Sequence, residues 1–180
     1  QLPEMVSAKD VSLALAGRCG TEFAQYRSIE FGGDWLDGLP ISSRLVMSNM
    51  SIEFGAKFGL FPVDQITVEY LKSIGVDDVP HFGPDDDAEY EKEFELIVSD
   101  LEPLVALPHS VGNVKPVRSI AGKPVQQAML GSCTNGRLED LQAAAQILKG
   151  RQVHSSVRMY VYLASRPVFI EAAAKGFIQT

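Results

Sequence analysis

A chain of 180 residues that is 46% apolar, with a mean hydropathy of +0.03, suits one domain, or one domain and part of another, with a buried core. A formal net charge of −7 without a basic run argues against nucleic acid or an anionic membrane surface as the main partner. No apolar run approaches the roughly 20 residues that cross a bilayer, and two distant cysteines favour a reducing compartment, here the cytoplasm.

The N-terminal part of the chain is predicted to alternate helices with one short strand. Ser7, followed by Asp10, is close to a capping box and marks the start of the first helix. Asp64 is a suitable N-cap for the last helix. In chain order, the predicted elements are a helix over 8–18, a strand over 26–33, a long helix over 41–59 capped by Ser42 or Ser43 and closed by Gly59, and a helix over 64–75 closed by Gly75.

The middle of the chain is acidic and then rich in proline. Asp85 to Asp87 predict a solvated turn, and alternating apolar and polar residues from Tyr90 onward predict a half-exposed strand over 90–99. Prolines and turn residues over 102–117 predict an extended crossing segment and a domain boundary. We therefore expect one domain over residues 1–115 and the start of another over residues 116–180.

Beyond this boundary the order strand, helix, strand, helix is typical of βαβ units in a parallel sheet. Pro167 stands near the first turn of the last helix, and Gly176 follows its end. The fold class is therefore predicted to be α/β. The predicted elements are a strand over 123–130, a loop over 131–136, a helix over 137–150, a strand over 157–164 and a helix over 165–176.

The stretch MLGSCTNGRLEDL places Cys133 in a glycine-bracketed loop between a strand and a helix. Ligands of open α/β sheets bind beyond the carboxyl ends of strands, and a helix start favours the negative charge of a thiolate nucleophile or metal ligand. Gly131 and Gly136 would let a bound group approach the backbone. The competing interpretation is a buried, apolar free cysteine.

Sequence spacing leaves these interpretations open. A cysteine nucleophile would need a histidine base, and none of His81, His109 and His154 shares a local motif with Cys133. The loop lacks the lysine of a phosphate-binding P-loop. The chain also lacks the CxxC or HxxxH spacing of a zinc site.

A second candidate is the pair Asn49 and Glu53, four residues apart on the long predicted helix and therefore on one face of it. Spacing alone favours an ordinary exposed polar stripe, although an amide and a carboxylate on one face could also orient a water molecule. The neighbouring residues are small and would permit close backbone approach; they are Ser48, Ser51, Gly55 and Ala56.

Taken together, these segments resemble the aconitase superfamily, and within it the large subunits of the isopropylmalate dehydratase and homoaconitase branch. The similarity runs in order through SAKDVSLALAG, IEFGG, MSNMSIEFGAKFGLFPVDQITVEYL, LPHSVGNVKPV, GSCTNGRLEDL and YLASRPVFIEAAAKG. GSCTNGR is highly specific. With Arg137 it is more similar to the isopropylmalate and homoaconitase branch than to aconitase proper.

The resemblance implies a hydro-lyase that isomerises a 2-hydroxy di- or tricarboxylic acid by dehydration and rehydration. It implies a 4Fe–4S cluster held by three cysteines, with one iron left open as a Lewis acid. By the motif match, Cys133 is one cluster ligand, and Asn49 and Glu53 are catalytic residues that hydrogen-bond the water or hydroxyl at the open iron. The remaining motif residues, assigned only to the cluster loop, are Ser132, Thr134, Asn135 and Arg137.

The resemblance also predicts that this chain is a piece of a longer protein. Its fold would be an aconitase-type three-layer α/β/α domain followed by the first βαβα units of a related, cluster-carrying domain. In the family, two further cluster cysteines lie later in the chain, and a small swivelling subunit, the expected partner, supplies substrate-binding residues. Because one cysteine cannot hold such a cluster, we expect the isolated chain to lack it and to be inactive.

Three alternatives remain at this stage. The substrate could be of the homoaconitate, methylmalate or 2,3-dimethylmalate type. Aconitase relatives include an RNA-binding regulator, against which the acidic balance and the absence of an Arg/Lys cluster argue. The third alternative is an α/β thiol enzyme that uses Cys133 as its nucleophile.

Overall fold

The structure is a computed structural model that describes residues 2–80 and 82–179. His81, one of the candidate bases, lies outside the described residues. The chain divides into two compact units, of which the first ends at Ile120 and the second begins at Ala121. The assignment of the chain to two family domains, with a boundary between residues 115 and 116, stays a prediction.

Helices and short strands alternate in the first unit. They are α1 (Ala8–Cys19), β1 (Ser28–Glu30), α2 (Ile41–Met50), β2 (Phe58–Leu60), α3 (Gln65–Ser73), β3 (Leu104–Ala106) and β4 (Val114–Pro116). β1 and β2 pair in parallel, whereas β3 and β4 form an antiparallel hairpin. The mixed α/β class is confirmed, as are the helices predicted over 8–18 and 64–75 and the strand predicted within 26–33.

The core of the first unit lies between α1, α2 and the hairpin. Asp10 ties these parts together: its carboxylate accepts hydrogen bonds from the backbone N–H and the hydroxyl of Ser7, both at 2.8 Å, and from the backbone N–H of Leu104, also at 2.8 Å. The predicted capping pair therefore also anchors β3. The buried apolar residues of the three helix-centred clusters are Ala8, Val11, Leu13, Ala16, Ala24, Phe31, Val46, Met47, Met50, Phe54 and Ala56.

The prediction of one long helix over 41–59 is wrong. Pro40, not Ser42 or Ser43, is the N-cap residue of α2, which ends at Met50. A 3₁₀ turn over Ser51–Phe54 follows, and Gly55 ends it in the left-handed conformation, with φ +78°. The chain then reverses into β2, so Gly59 lies in a strand.

Two further predictions for the middle of the chain are wrong. Residues 90–97 form no strand in the described structure, because the extended segment has no backbone ladder partner. The alternation instead reflects packing, since Leu96 and Val98 contact the core cluster around Met47. The proline-rich stretch 102–117 is not a simple crossing segment: its apolar residues fold back on α1 and α2 as the β3–β4 hairpin.

Arg44 is a charged residue inside this unit, with only 2% of its surface exposed. Its guanidinium donates hydrogen bonds to the backbone oxygens of Leu39 (3.1 Å) and Leu36 (3.3 Å), and forms a two-pronged ion pair with Asp64 (2.8 and 2.5 Å). Asp64 also caps α3 by accepting the backbone N–H of Thr67 at 3.0 Å. These hydrogen bonds from Arg44, with that of Thr67, lower the pKa of Asp64 from 3.8 to about 2.

The second unit contains the predicted βαβα order. Its elements are β5 (Gln127–Leu130), α4 (Leu138–Leu148), β6 (Arg158–Val161) and α5 (Arg166–Ala174). β5 and β6 pair in parallel, with Gln127 opposite Arg158 and Leu130 opposite Val161. The Ser165 hydroxyl caps α5, with Pro167 in its first turn, as predicted. No helix among the described residues is long and apolar enough to cross a membrane.

The Asp64→Asn variant tests the buried ion pair. Asparagine remains a good N-cap, so the variant removes the charge and keeps the cap. We expect the free energy of unfolding at pH 7 to fall by about 1–2 kcal/mol. This is the usual contribution of a hydrogen bond to a charged group, reduced because solvent screens a partly exposed carboxylate. Urea unfolding followed by Trp35 fluorescence measures this loss, because Trp35 lies in the 3₁₀ turn Asp34–Leu36, next to a carbonyl that Arg44 binds.

The same variant has a signed pH dependence. The folded-state pKa of Asp64 is lowered, so its stabilisation is fully present above about pH 4 and is lost as the pH falls through about 2. The stability difference between the native chain and Asp64→Asn should shrink over that window. Asp78→Asn removes an exposed carboxylate in the same unit and should leave the free energy of unfolding unchanged at both pH 2 and pH 7. A difference between the native chain and Asp64→Asn that is the same at pH 2 and pH 7 would contradict this assignment.

Candidate active site

The Cys133 loop joins the carboxyl end of β5 to the start of α4, and it packs closely against Tyr162, directly after β6. A Cβ atom added at Gly131 or Gly136 would collide with the backbone oxygen of Tyr162. The Gly136 carbonyl also accepts a hydrogen bond from the Ala164 N–H at 2.8 Å. The two glycines therefore permit the close approach of the loop to the residue that follows β6, while the approach of a bound group stays a prediction.

Ser132, directly before the thiol, has a left-handed backbone with φ +74°. This conformation costs a residue with a side chain about 1–2 kcal/mol, so it persists only where the surroundings impose it. Asp140, the third residue of α4, supplies part of that restraint: its carboxylate accepts the Asn135 side-chain amide at 3.1 Å and the Arg137 backbone N–H at 3.0 Å. Sequence reasoning missed Asp140, although an acidic residue three positions after a helix start is a known signal.

Cys133 itself is free and exposed, which excludes the interpretation as buried apolar filler. Two atoms of the same loop, Asn135 Oδ1 and Arg137 Nε, are buried without a hydrogen-bond partner in the described structure. Buried polar atoms without partners are rare and commonly mark a functional site or a bound group. The loop thus combines an exposed thiol with a buried acceptor and a buried donor that have no hydrogen-bond partner in the described structure.

No histidine of the second unit is placed to activate this thiol. His154 lies in the turn before β6, where its ring contacts the Ser156 hydroxyl at 2.8 Å. Because β5 and β6 are parallel, His154 precedes the amino end of β6 and Cys133 follows the carboxyl end of β5, so the two residues lie at opposite ends of the ladder. Within residues 121–179 the structure therefore places no histidine beside Cys133.

Asn49 and Glu53 are both exposed on the first unit. Asn49 lies in the last turn of α2 and Glu53 in the following 3₁₀ turn, so the single-helix spacing argument for a shared face does not hold. Neither side chain has a hydrogen bond or ion pair to another residue that the structure describes. Both are therefore free to meet a group outside their own unit.

The small residues around this pair have an internal role. The Ser48 hydroxyl donates to the Gly59 carbonyl at 2.7 Å, and the Ser51 hydroxyl donates to the Met47 carbonyl at 3.0 Å. A Cβ atom at Gly59 would collide with Ser51. The predicted close approach is thus between β2 and α2, and it fixes the turn that carries Glu53.

The charge of the chain is divided unevenly, a feature that a residue count along the sequence could have shown. Residues 121–180 contain seven Lys and Arg against three Asp and Glu, whereas the net charge of the whole chain is −7. A locally positive unit attracts anions. The unit that carries Cys133 therefore suits a negatively charged ligand.

These observations define a class of protein: an α/β protein with a thiol at the carboxyl end of a parallel strand. The aconitase family (aconitate hydratase) matches residues 1–124 and 113–180, which together cover the chain. The chain belongs to the aconitase family. The resemblance drawn from its motifs is confirmed.

Its relatives narrow the similarity to one branch. The chain is 45% identical over 99% of its length to the 3-isopropylmalate dehydratase large subunit 2 of Archaeoglobus fulgidus, and 42% identical over 99% of its length to the 3-isopropylmalate dehydratase large subunit of Oleidesulfovibrio alaskensis. It is 41% identical over 97% of its length to the methanogen homoaconitase large subunit of Methanocaldococcus jannaschii. The chain spans 43–44% of the length of these relatives.

The Gly136→Ala variant tests the seating of the Cys133 loop. The added Cβ would stand 2.5 Å from the Tyr162 oxygen and 3.0 Å from the Ala164 nitrogen. We therefore expect the free energy of unfolding of the second unit to fall by about 1–3 kcal/mol, as for other overpacked sites. Faster amide hydrogen exchange at Ala164, whose N–H binds Gly136, measures the loss. Gly32→Ala, which has open space around it, is the control, and equal exchange at Ala164 in both variants would contradict the seating.

Proposed function

We propose that the chain is part of the large subunit of a 4Fe–4S hydro-lyase of the 3-isopropylmalate dehydratase type, which isomerises a 2-hydroxy di- or tricarboxylic acid. The observation that carries this proposal is the 42–45% identity, over 99% of the chain, to subunits of that name. In this proposal the first unit belongs to a three-layer α/β/α domain. The second unit begins the related domain that carries the cluster.

The donor set of the chain fits one corner of the cluster. Iron–sulfur clusters take cysteine thiolates as ligands, and Cys133 is an exposed free thiol in a restrained loop. Among the described residues, no group of three or more His, Cys, Asp and Glu side chains is arranged to hold a metal ion. We assign Cys133 as one ligand of three and expect the other two from residues outside this sequence.

The bound cluster would supply Lewis-acid chemistry at one open iron. Asn49 and Glu53 are the residues of this chain that we assign to proton handling. The Asn49 side-chain amide would orient the hydroxyl that leaves the substrate, and the Glu53 carboxyl would give a proton to that oxygen and take it back when water returns. Their exposure and their lack of internal partners suit such a role.

The substrate class follows from charge. A 2-hydroxy acid with two or three carboxylates is an anion, and the excess of Lys and Arg over Asp and Glu in residues 121–180 favours its approach. The similarity to a homoaconitase large subunit supports homologous tricarboxylic acids as a second candidate substrate. Arg137, Ser132, Thr134 and Asn135 remain assigned to the cluster loop.

The names of the relatives as large subunits support a small subunit as partner of the full-length enzyme. In this proposal the small subunit completes the substrate site. We place the enzyme in the cytoplasm, where an exposed thiol such as Cys133 stays reduced.

Cluster content tests the ligand assignment. The isolated 180-residue chain should bind less than stoichiometric iron and sulfide after reconstitution, because one thiolate cannot hold the cluster. In the full-length enzyme, Cys133→Ser should abolish the visible absorbance of the cluster. Cys19→Ser, at the other cysteine of the chain, should retain it. A stoichiometric cluster on the isolated chain, or on full-length Cys133→Ser, would refute the assignment.

The Glu53→Gln variant of the full-length enzyme tests proton handling. We expect kcat to fall by about 10²–10⁴-fold, the typical contribution of general acid–base catalysis, with little change in KM and unchanged cluster content. Steady-state dehydration kinetics followed by the absorbance of the unsaturated product provide the measurement. Glu22→Gln, at an exposed glutamate of the same unit, should retain native kcat. Native kcat in Glu53→Gln would exclude the proposed role.

A further inference from the structure

The segment 85–97, called the acidic strap from here on, lies over the first unit without a helix or strand of its own. Two of its side chains bind residues at the two ends of β1, Arg27 just before the strand and Glu30 at its end. Glu91 accepts two hydrogen bonds from the Arg27 guanidinium, both at 2.7 Å, and the Tyr90 hydroxyl donates to the Glu30 carboxylate at 3.0 Å. The hydrogen bonds from Arg27 lower the pKa of Glu91.

Phe94, which is half exposed, connects the strap to the core through Phe23. Its ring meets the Phe23 ring edge-on, with centroids 5.4 Å apart, and Phe23 contacts Phe54 at 5.0 Å. Phe54 is fully buried and is the residue directly after Glu53. An aromatic row thus runs from the strap to the turn that carries Glu53.

The backbone makes the same connection. The N–H of Ala24 donates to the Phe54 carbonyl at 3.1 Å, the N–H of Tyr26 donates to the Gly55 carbonyl at 3.0 Å, and the N–H of Lys57 donates to the Arg27 carbonyl at 2.7 Å. The segment 23–27 is therefore bound on one side by the strap and on the other by the Glu53 turn.

We propose that the acidic strap positions Glu53, with Glu91 and Phe94 as positioning residues that act through the segment 23–27. The inference rests on the proposed function, because it concerns the residue assigned there to proton transfer. Glu53 has no side-chain partner of its own in the described structure, and 3₁₀ turns are weakly held by their own hydrogen bonds. The position of Glu53 is therefore set by the backbone of the turn, and hence by the segment 23–27 that binds this backbone.

Amide hydrogen exchange of the 180-residue chain tests this coupling without cluster or substrate. In Glu91→Gln, exchange at Ala24, Tyr26 and Lys57 should become about two- to five-fold faster, the range set by a surface ion pair. In Phe94→Ala the increase should be about five- to ten-fold, because an aromatic contact is lost. Exchange in the middle of α1, at Leu13, should stay unchanged, which separates a local effect from general destabilisation.

Matched controls come from the same segment. Glu89→Gln and Ile97→Ala alter exposed strap residues outside these contacts. Both variants should leave amide exchange at Ala24, Tyr26 and Lys57 unchanged. In the full-length enzyme, Glu91→Gln and Phe94→Ala should lower kcat with KM retained, and Phe94→Leu should partly restore it. If the exchange rates at Ala24, Tyr26 and Lys57 were the same in the Glu91 and Phe94 variants as in the controls, the coupling would be overturned. This outcome is independent of the effect of Glu53→Gln on catalysis.

Discussion

The guanidinium of Arg44 is the point at which three segments of the first unit meet. It holds the carbonyls of Leu36 and Leu39 before α2, and it pairs with the carboxylate that caps α3. A charge this deeply buried is tolerated only while its partners are in place, because an unpaired charge in the interior is destabilising. Arg44 thereby fixes the entry to α2, the helix that carries Asn49.

From that fixed entry, the far end of α2 is shaped by packing rather than by helix propensity. The sequence over 41–59 is compatible with a single helix, yet the chain turns at Gly55 because β2 must return beside β1. Ser48, Ser51 and Gly59 make this return possible through hydrogen bonds and through the absence of a Cβ atom. Glu53 is exposed because it lies on the outside of this reversal.

The second unit could be predicted from sequence almost element by element, because its strands, helices and caps are local signals. The first unit could be predicted where caps such as Ser7 and Asp64 mark helix starts, and at the β-rich stretch that contains β1. The end of α2 and the hairpin over 104–116 depend on contacts between residues far apart in sequence, such as Asp10 with Leu104. At the candidate site, motif matching pointed to Cys133, and the local contacts of Asp140 with Asn135 and Arg137 could have been read from the sequence. The packing of the loop against Tyr162 is a tertiary feature.

The three candidate residues, Cys133, Asn49 and Glu53, share one property: each side chain is exposed and has no partner in the described structure. Asn49 lies in the last turn of α2, Glu53 lies in the turn that the segment 23–27 binds, and the Cys133 loop lies against the end of β6. Holding a reactive side chain on a restrained backbone, with its polar atoms unused, reduces the reorganisation needed when a ligand or substrate arrives. In the proposed cluster site, the Cys133 loop would supply one thiolate on backbone that is already restrained within its own unit.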